Sequence, residues 1–179
     1  MSEFNIPNKL IRLTRMTMEH TKSQVRIQSD LSGPITTKKG LRQGDSLACL
    51  LFNLALEKVI RNAGIQTNGT IFYKSVQLLA YADDIDIIAR SQVALREAFI
   101  SLERAAGEMG LKINEEKTKY LTIRVNKNKN QLKYCQIGNF NFESVHSFIY
   151  LGSLVNVNND NSAEIKKKGY YGLIKVFMD

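Results

Sequence analysis

The stretch from Val76 to Ala89 constrains the fold more than any other part of the chain. Two apolar runs of strand length flank two adjacent acids, Asp83 and Asp84. Because aspartate favours turns, the stretch predicts a β-hairpin with both carboxylates at its tip. Neighbouring carboxylates repel unless a cation lies between them, and Mg²⁺ is typically held by one or two carboxylates plus substrate phosphates. The pattern alone leaves two alternatives open, a solvated turn and a metal site.

The composition restricts the class of protein. The 179 residues suit one domain, or one domain with a small appendage, and 44% hydrophobic residues are enough for a core. The formal net charge of +8 favours a polyanionic partner, nucleic acid ahead of an anionic membrane. No apolar run approaches the roughly 18–20 residues that a membrane span requires.

The cysteines and the N-terminus predict an intracellular protein. Cys49 and Cys135 lie in segments that both look buried, and their spacing fits neither a disulfide framework nor a metal site. We therefore predict two reduced core thiols. The first residues carry no basic and apolar signal peptide, so we predict the cytoplasm or the nucleus.

Helical periodicity predicts three well-marked helices and a final one. The first covers 6–19, with Leu10, Ile11, Met16 and Met18 as a partly buried face and Lys9, Arg12 and Arg15 as a basic stripe. The second covers 46–63 and the third 92–109, and the last begins near Lys166–Lys168. The predicted strands outside the acidic hairpin are 24–28, 35–38, 71–73, 111–114, 119–125, 134–137, 140–142 and 148–155, the last interrupted by a glycine.

Local signals mark the ends of the helices at 46–63 and 92–109. Asp45 or Ser46 can cap the start of the first, and Gly64 can end it. Ser91 can cap the start of the second, and Gly110 can end it. The polar, glycine-bearing loop 39–45 before the first of these helices is compatible with phosphate binding, although many helices follow a glycine.

Four motifs in order resemble a known family, the reverse transcriptases of non-LTR (LINE-like) retrotransposons. Gly40-Leu41-Arg42-Gln43-Gly44-Asp45-Ser46-Leu47 resembles the second motif of the catalytic core, and Tyr81-Ala82-Asp83-Asp84 resembles the signature tetrapeptide. Gly110–Lys119 resembles the motif that follows, and Tyr150-Leu151-Gly152 resembles the hairpin that grips the primer. One motif can match by chance, but four in order at family spacing are specific.

The resemblance implies RNA-directed DNA synthesis by two-metal nucleotidyl transfer, with Mg²⁺ or Mn²⁺. It implies that the partners are an RNA template, a DNA primer and a dNTP. Carried over residue by residue, it assigns metal binding and catalysis to Asp83 and Asp84. Asp86 is either a supporting residue or merely exposed. It assigns nucleotide or template binding to Gln43, Gly44, Tyr81 and Lys117 or Lys119. It assigns primer binding to Leu151 and Gly152.

The sequence departs from the family pattern before Gly40. The resemblance implies a further carboxylate on an earlier strand beside the acidic hairpin, and no residue before Gly40 matches that motif. We therefore expect an upstream segment with the fingers to be missing. We also expect the thumb to be truncated, the hairpin to keep an unpaired edge, and the chain alone to have negligible polymerase activity.

Two function classes follow. The chain is either part of an RNA-directed DNA polymerase or a non-catalytic, basic nucleic-acid-binding remnant supported by Lys9–Arg15, Lys127–Lys133 and Lys166–Lys168. An unrelated α+β domain with an accidental acidic turn is a third alternative. The predicted fold is α+β, a palm-like antiparallel sheet with helices packed on one face. We predict a partial palm at 1–125 and a primer-grip hairpin with the start of a thumb at 126–179.

Overall fold

The computed structural model describes residues 1–19, 21–37, 44–65, 76–123, 133–151, 153–157 and 171–177. The chain divides into two compact units, Met1–Leu54 and Ala55–Asp179. Three α-helices and several small sheets form an α+β protein, as predicted.

The described part of the first unit contains one complete helix, two short ladders and the start of a second helix. A 3₁₀ turn at Ser2–Phe4 precedes α1 (Asn8–Met18). Four two-residue strands follow, and they pair antiparallel as β1 with β4 and β2 with β3. Their bounds are β1 (Lys22–Ser23), β2 (Arg26–Ile27), β3 (Asp30–Leu31) and β4 (Ile35–Thr36). The predicted turn around residue 30 therefore contains a strand of its own.

Helix α1 corrects one prediction. None of its residues is buried, and Leu10, Met16 and Met18 are exposed rather than partly buried. An amphipathic pattern shows which side of a helix can be buried, but burial itself requires a surface to pack against.

Helix α2 (Ser46–Ala63) begins and ends where the local signals predict. The Asp45 side chain accepts a hydrogen bond from the Leu47 N–H at 2.9 Å, so Asp45 makes the capping contact. Gly64 follows the helix with a φ of 62°, a left-handed conformation that suits glycine.

The buried side of α2 lies in its second half. Its fully buried residues are Leu56, Val59 and Ala63. Cys49 in the first half is exposed, which corrects the prediction of two core thiols, whereas Cys135 is buried as expected. The one-dimensional leucine pattern could not show which half of the helix meets other residues.

A six-stranded sheet forms the centre of the second unit, in the order β5-β6-β12-β7-β9-β8. All neighbouring strands run antiparallel except β7 and β9, which are parallel. The bounds are β5 (Val76–Tyr81), β6 (Asp84–Ala89), β7 (Lys119–Ile123), β8 (Tyr134–Ile137), β9 (Phe140–Ser144) and β12 (Tyr171–Phe177).

Helix α3 (Gln92–Glu108) packs on one face of this sheet. The Ser91 hydroxyl accepts from the Ala94 N–H at 3.1 Å, which confirms the predicted cap. At the other end, Gly110 donates to Gly107 and Leu111 donates to Ala106, the two bonds of a Schellman motif. The buried face of α3 is the predicted apolar stripe, Leu95, Ala98, Phe99, Leu102, Ala105 and Ala106.

Aromatic contacts fix α3 against the far end of the sheet. The Phe99 ring meets Phe140 and Phe142 edge-on, with centroid distances of 5.5 and 5.1 Å. The predicted Gly138-Asn139 turn places these two strand residues side by side, with Ile137 opposite Phe140. Alternation along β6 then turns Ile85 and Ile87, both fully buried, toward the helix.

A separate hairpin covers the opposite face of the sheet. It consists of β10 (Ser147–Tyr150) and β11 (Ser153–Asn156), which pair antiparallel, so the predicted single strand at 148–155 is a hairpin. Phe148 is buried against Leu121 of β7, and Ile88 of β6 packs into the same cluster. The sheet is therefore covered by a helix on one side and by this hairpin on the other.

The C-terminal strand corrects two predictions. Tyr171–Phe177 is extended where a helix was expected, and the predicted helix start at Lys166–Lys168 lies outside the described residues. Because β12 pairs with both β6 and β7, the acidic hairpin does not keep an unpaired edge on the β6 side. A short apolar run fits either a helix or a strand, so pairing with β6 and β7 determines that this segment is a strand.

Strands from both predicted domains belong to the one six-stranded sheet, because β8, β9 and β12 follow residue 126. The division at 125/126 into a palm and a primer-grip part stays a prediction. Among the described segments, none of the helices has the length and apolar content that a membrane span requires.

Candidate nucleotidyl-transfer site

The acidic hairpin forms as the sequence predicts, with a tighter turn. Strands β5 and β6 pair in register from Val76 opposite Ala89 to Tyr81 opposite Asp84. Only Ala82 and Asp83 lie in the turn, and Asp84 already begins β6. Ala82 has a φ of 52°, which is a left-handed conformation for a residue that carries a Cβ. The two acids therefore occupy different positions, one in the turn and one on the strand.

The two carboxylates differ in exposure. Asp83 is exposed in the turn, whereas Asp84 is half-buried. Tyr81 is 66% exposed and lies directly opposite Asp84, where cross-strand Cβ atoms are about 4.5–5.5 Å apart. The structure therefore brings Tyr81 and Asp84 together on one face of the hairpin, next to Asp83.

Asp86 is buried, which excludes the alternative that it is merely exposed. Its exposed fraction is 2%, the lowest of any carboxylate in the described part of the chain. It shares a face of β6 with Asp84 and Ile88, and Ile88 packs against the β10–β11 hairpin. Both faces of β6 are covered at this point, since Ile85 and Ile87 on the other side are buried as well.

Tyr150 at the end of β10 is close enough to the acidic strand to interact with it electrostatically. Burial raises the pKa of the Tyr150 phenol, and the carboxylates of Asp86 and Asp84 raise it further. The motif resemblance drew attention to Leu151 and Gly152 and gave no role to Tyr150. Tyr150 belongs to the same tripeptide as Leu151 and Gly152. The proximity of Tyr150 to β6, however, depends on tertiary packing, which the motif does not show.

The tip of the β10–β11 hairpin carries a predicted primer-binding residue. Leu151 is exposed and has a φ of 45°, a conformation that is rare for a side chain of its size. Such backbone outliers cluster at functional sites, from which a functional hypothesis can be drawn. Gly152 lies outside the described residues.

Lys117 and Lys119 have different contacts in the structure. Lys119 Nζ lies 2.7 Å from Glu143 Oε2 on β9 and donates to the Glu116 carbonyl at 2.9 Å. Lys117 is exposed in the turn before β7, and its N–H donates to Asn114 Oδ1 at 3.1 Å. Lys119 is therefore engaged with Glu143, whereas Lys117 is exposed in a turn.

The register shows how the strand that follows Lys117 is oriented. Position 175 of β12 pairs with Asp86 on one side and with Lys119 on the other. Strands β6 and β7 therefore run in the same direction and are separated by two interstrand spacings, about 10 Å.

The remaining predicted residues belong to the first unit or lie outside the described residues. Gly44 is exposed before α2 in the first unit, with a φ of 87°. Gln43, most of the basic loop after residue 126 and the lysine run 166–168 lie outside the described residues. In α1, Lys9, Arg12 and Arg15 are exposed, and Arg15 Nε lies 4.0 Å from Glu19 Oε1.

The oxygen ligands at the hairpin tip fit only part of the coordination shell of a hard cation. Asp83 and Asp84 supply oxygen ligands, but within the described residues no group of three His, Cys, Asp or Glu side chains could hold a metal ion. Two carboxylates suit Mg²⁺ when substrate phosphates complete its shell. The site as described therefore fits a metal that arrives with its nucleotide.

Comparison with known proteins identifies the family. Residues 1–155, which are most of the chain, match the family described as reverse transcriptase (RNA-dependent DNA polymerase). Members of this family generally use divalent metal ions and act with nucleic acid and nucleotides. The match includes the acidic hairpin, the turn before β7 and the β10–β11 tip, so the predicted motifs all lie inside it.

Individual relatives agree with the family. The chain is 24% identical over 118 residues to the Pol polyprotein of the type-1 retrotransposable element R2 of Nasonia vitripennis, covering 66% of the chain and 12% of the relative. It is 31% identical over 84 residues to the R2 Pol polyprotein of Bradysia coprophila, covering 47% and 10%. It is 27% identical over 79 residues to that of element R2DM of Drosophila melanogaster, covering 44% and 8%.

The chain spans about a tenth of the length of these relatives. No solved structure matches it. The predicted resemblance to non-LTR retrotransposon enzymes is confirmed, because all three relatives are R2 Pol polyproteins. The chain belongs to the reverse transcriptase (RNA-dependent DNA polymerase) family.

Proposed function

We propose that the acidic hairpin is the metal-binding part of a nucleotidyl-transfer site in an RNA-directed DNA polymerase. The observation that carries the proposal is the pair Asp83 and Asp84 at the hairpin tip, with Tyr81 opposite Asp84. Proposed partners are an RNA template, a DNA primer and a dNTP. Asp83 and Asp84 would hold Mg²⁺, with Mn²⁺ as a substitute, and the ion would neutralise charge on the phosphates.

The chain's own residues would then orient the nucleotide around the tip. Tyr81 offers an exposed aromatic face beside Asp84, against which a base or a sugar can pack. Lys117 carries a positive charge in the exposed turn before β7, and we propose that it pairs with nucleotide phosphates. Gly44, with Gln43 beside it, would contact template and nucleotide, and Leu151 with Gly152 the primer.

Within the described residues, no group of three His, Cys, Asp or Glu side chains could hold a metal ion. We propose that this chain on its own binds a metal–nucleotide complex and nucleic acid but extends a primer negligibly. Removing one member of a catalytic unit commonly lowers the rate by orders of magnitude. The second candidate, a non-catalytic nucleic-acid-binding protein, is favoured by the exposed basic residues of α1.

The test measures Mn²⁺ binding in the presence of a dNTP. The electron paramagnetic resonance signal of free Mn²⁺ reports how much of the ion is bound. The unaltered chain should remove free Mn²⁺ from solution, and Asp83→Asn should weaken binding about tenfold or more. Asp30→Asn, in the exposed β3 strand, is the matched control and should bind like the unaltered chain. Equal binding by Asp83→Asn and the unaltered chain would contradict the metal assignment.

Primer extension tests whether the chain is catalytic by itself. The chain is mixed with an annealed RNA template and DNA primer, with all four dNTPs and either Mg²⁺ or Mn²⁺. Extension that Asp83→Asn abolishes would show that the chain is catalytic by itself. Primer–template binding without extension, falling steeply with salt concentration, is the expected result.

A further inference from the structure

Strand β12 divides the six-stranded sheet into two parts. Strands β5 and β6 lie on one side of it, and β7, β9 and β8 lie on the other. As far as the structure describes the sheet, these other strands all come from residues 76–144, whereas β12 comes from 171–177. The place between β6 and β7 is therefore filled by a segment that is distant from both in the sequence.

The place between these two strands, the β6–β7 slot, fits one extended strand. Strands β6 and β7 both run antiparallel to β12 and lie two interstrand spacings apart, about 10 Å. Strand β12 pairs with β6 over residues 172–177 and with β7 over residues 171–175. Its backbone is therefore hydrogen-bonded on both sides.

Both walls of the slot are complete before the chain reaches β12. Strand β6 leads into α3, and α3 leads to β7, so residues 84–123 supply both walls. Without a strand between them, two rows of backbone N–H and C=O groups would lack partners. Strand edges of this kind readily pair with another chain. A strand with the sequence and direction of β12 satisfies them, whichever copy of the chain it belongs to.

The connection to β12 is long enough to reach a second copy. Thirteen residues, 158–170, separate Val157 from Tyr171, and most of them are polar. Fully extended, a segment of this length spans up to about 45 Å. That reach exceeds the diameter of a small domain, which is about 30 Å.

We propose that the β6–β7 slot is the contact site for a second copy of this chain, and that two copies exchange β12. Each strand then makes in the other copy the same backbone pairs that it makes in its own, so the contact requires no new complementary surface. Because the exchange is reciprocal, it gives a closed, two-fold dimer in which both slots are filled.

The exchange brings the second copy to the candidate site. Position 177 of β12 pairs with Asp84 of β6, so in the dimer the strand beside each acidic hairpin belongs to the other copy. The importance of this for metal binding rests on the proposed function. The exchange itself rests only on the register of β12 with its two neighbours.

The first test measures the molar mass of the full chain after refolding from urea. A tethered strand has an effective concentration on the order of millimolar, so refolding at about 1 μM should give a monomer and refolding at about 1 mM a dimer. The dimer should persist after dilution for longer than mixing takes, because β12 must leave two neighbours before it can return. A monomer at both concentrations, by light scattering, would overturn the proposal.

The second test identifies the exchanged strand with two single variants. Ile88→Cys in β6 and Leu173→Cys in β12 alter register partners. Directly opposite residues of antiparallel strands have Cα atoms about 4.5–5.5 Å apart, within the range of a disulfide. Both changes are made in a chain with Cys49→Ser and Cys135→Ala. After joint refolding at high concentration and oxidation, a disulfide-linked dimer with one copy of each variant is expected.

Control variants check the register and exclude random collision. A chain that carries both Ile88→Cys and Leu173→Cys should form the disulfide within one copy at low concentration. Leu79→Cys, exposed on β5, which does not neighbour β12, should give no linked dimer with Leu173→Cys. If Ile88→Cys does not fold, Thr122→Cys of β7 with Gly172→Cys repeats the test on the other side of the slot.

Two results of the disulfide test would overturn the exchange. One is a disulfide within the double variant but no linked dimer from the mixed single variants. The other is an equal yield of linked dimer from Leu79→Cys and Ile88→Cys. Mn²⁺ binding judges the proposed function separately, since monomer and dimer present the same strand pairs to Asp84 and should bind Mn²⁺ alike per copy.

Discussion

Lys119 Nζ lies 2.7 Å from Glu143 Oε2 and joins β7 to the parallel strand β9. The Lys119 side chain is 29% exposed and that of Glu143 51%, so water screens the pair. A second contact supports the same junction, because the Asn141 N–H donates to Glu115 Oε1 at 2.6 Å. Together these contacts hold the turn that carries Lys117 against β9.

The first prediction concerns the pH dependence of this pair. The hydrogen bond and the charge of Lys119 lower the pKa of Glu143, so its contribution to stability is present above the unfolded-state pKa. That contribution is lost as the pH falls through the folded-state pKa. Glu143→Gln should therefore lower the urea midpoint slightly at neutral pH, and the difference should shrink as the pH is lowered into the acidic range.

The control for this measurement is Glu97→Gln on the exposed side of α3. It should change the urea midpoint less than Glu143→Gln at neutral pH. A Glu143→Gln effect that grows as the pH falls would contradict the assignment of the pair, since the sign would be reversed.

The second prediction concerns the turn of the acidic hairpin. Ala82 has a φ of 52°, and a left-handed conformation costs about 1–2 kcal/mol for a residue with a Cβ. Ala82→Val should lower the free energy of unfolding by about 1–2 kcal/mol, because β-branched residues tolerate this region poorly. Ala82→Gly should be close to neutral, since relief of strain offsets the larger entropy of the unfolded chain.

Urea unfolding measures both Ala82 variants. Ala80→Val provides the control, because Ala80 is exposed on β5, where a β-branched residue is favourable. If Ala82→Val and Ala80→Val have equal effects, the turn is not strained.

The third prediction concerns the core between α3 and the sheet. Phe142 is fully buried and contacts Phe99, with a centroid distance of 5.1 Å. Phe142→Ala should lower the free energy of unfolding by about 3–5 kcal/mol, because it leaves a cavity. Tyr134→Ala, at an exposed position on the neighbouring strand β8 opposite Glu143, should cost less than about 1 kcal/mol. Similar losses in both variants would argue against this packing.

The fourth prediction separates the two lysines at the candidate site. Lys117→Ala should weaken dNTP binding in the presence of Mn²⁺ about tenfold, which corresponds to about 1.4 kcal/mol. Lys119→Ala should weaken it less, because Lys119 binds Glu143. Equilibrium binding of a fluorescent dNTP measures both.

Lys112→Ala is the matched control, since Lys112 is an exposed lysine that precedes the same turn. It should bind the nucleotide like the unaltered chain. A loss for Lys119→Ala larger than that for Lys117→Ala would reverse the assignment.

Local signals predicted the helix ends and the acidic hairpin well. Ser91 and Asp45 cap their helices through a side-chain oxygen three and two residues from the donor, so all the necessary atoms are close in sequence. The same holds for Gly110, where a left-handed residue ends α3. Interactions within one turn depend little on the rest of the fold.

Predictions of burial were less successful where a partner element decided the outcome. Met16 and Cys49 were expected to be at least partly buried and are exposed, whereas Asp86 could have been exposed and is buried. Alternation along a strand and periodicity along a helix show which residues share a side. They do not show whether another element covers that side.

The sequence by itself determined the family, the acidic hairpin with Asp83 and Asp84, and the two capped helices, because short-range patterns and ordered motifs encode them. Tertiary structure alone decided that β12 pairs with β6 and β7 and that Glu143 engages Lys119. It also decided that Asp86 is buried and that the β10–β11 hairpin packs against Leu121 and Ile88. These features join residues far apart in the chain, and their formation depends on which surfaces meet when the chain folds.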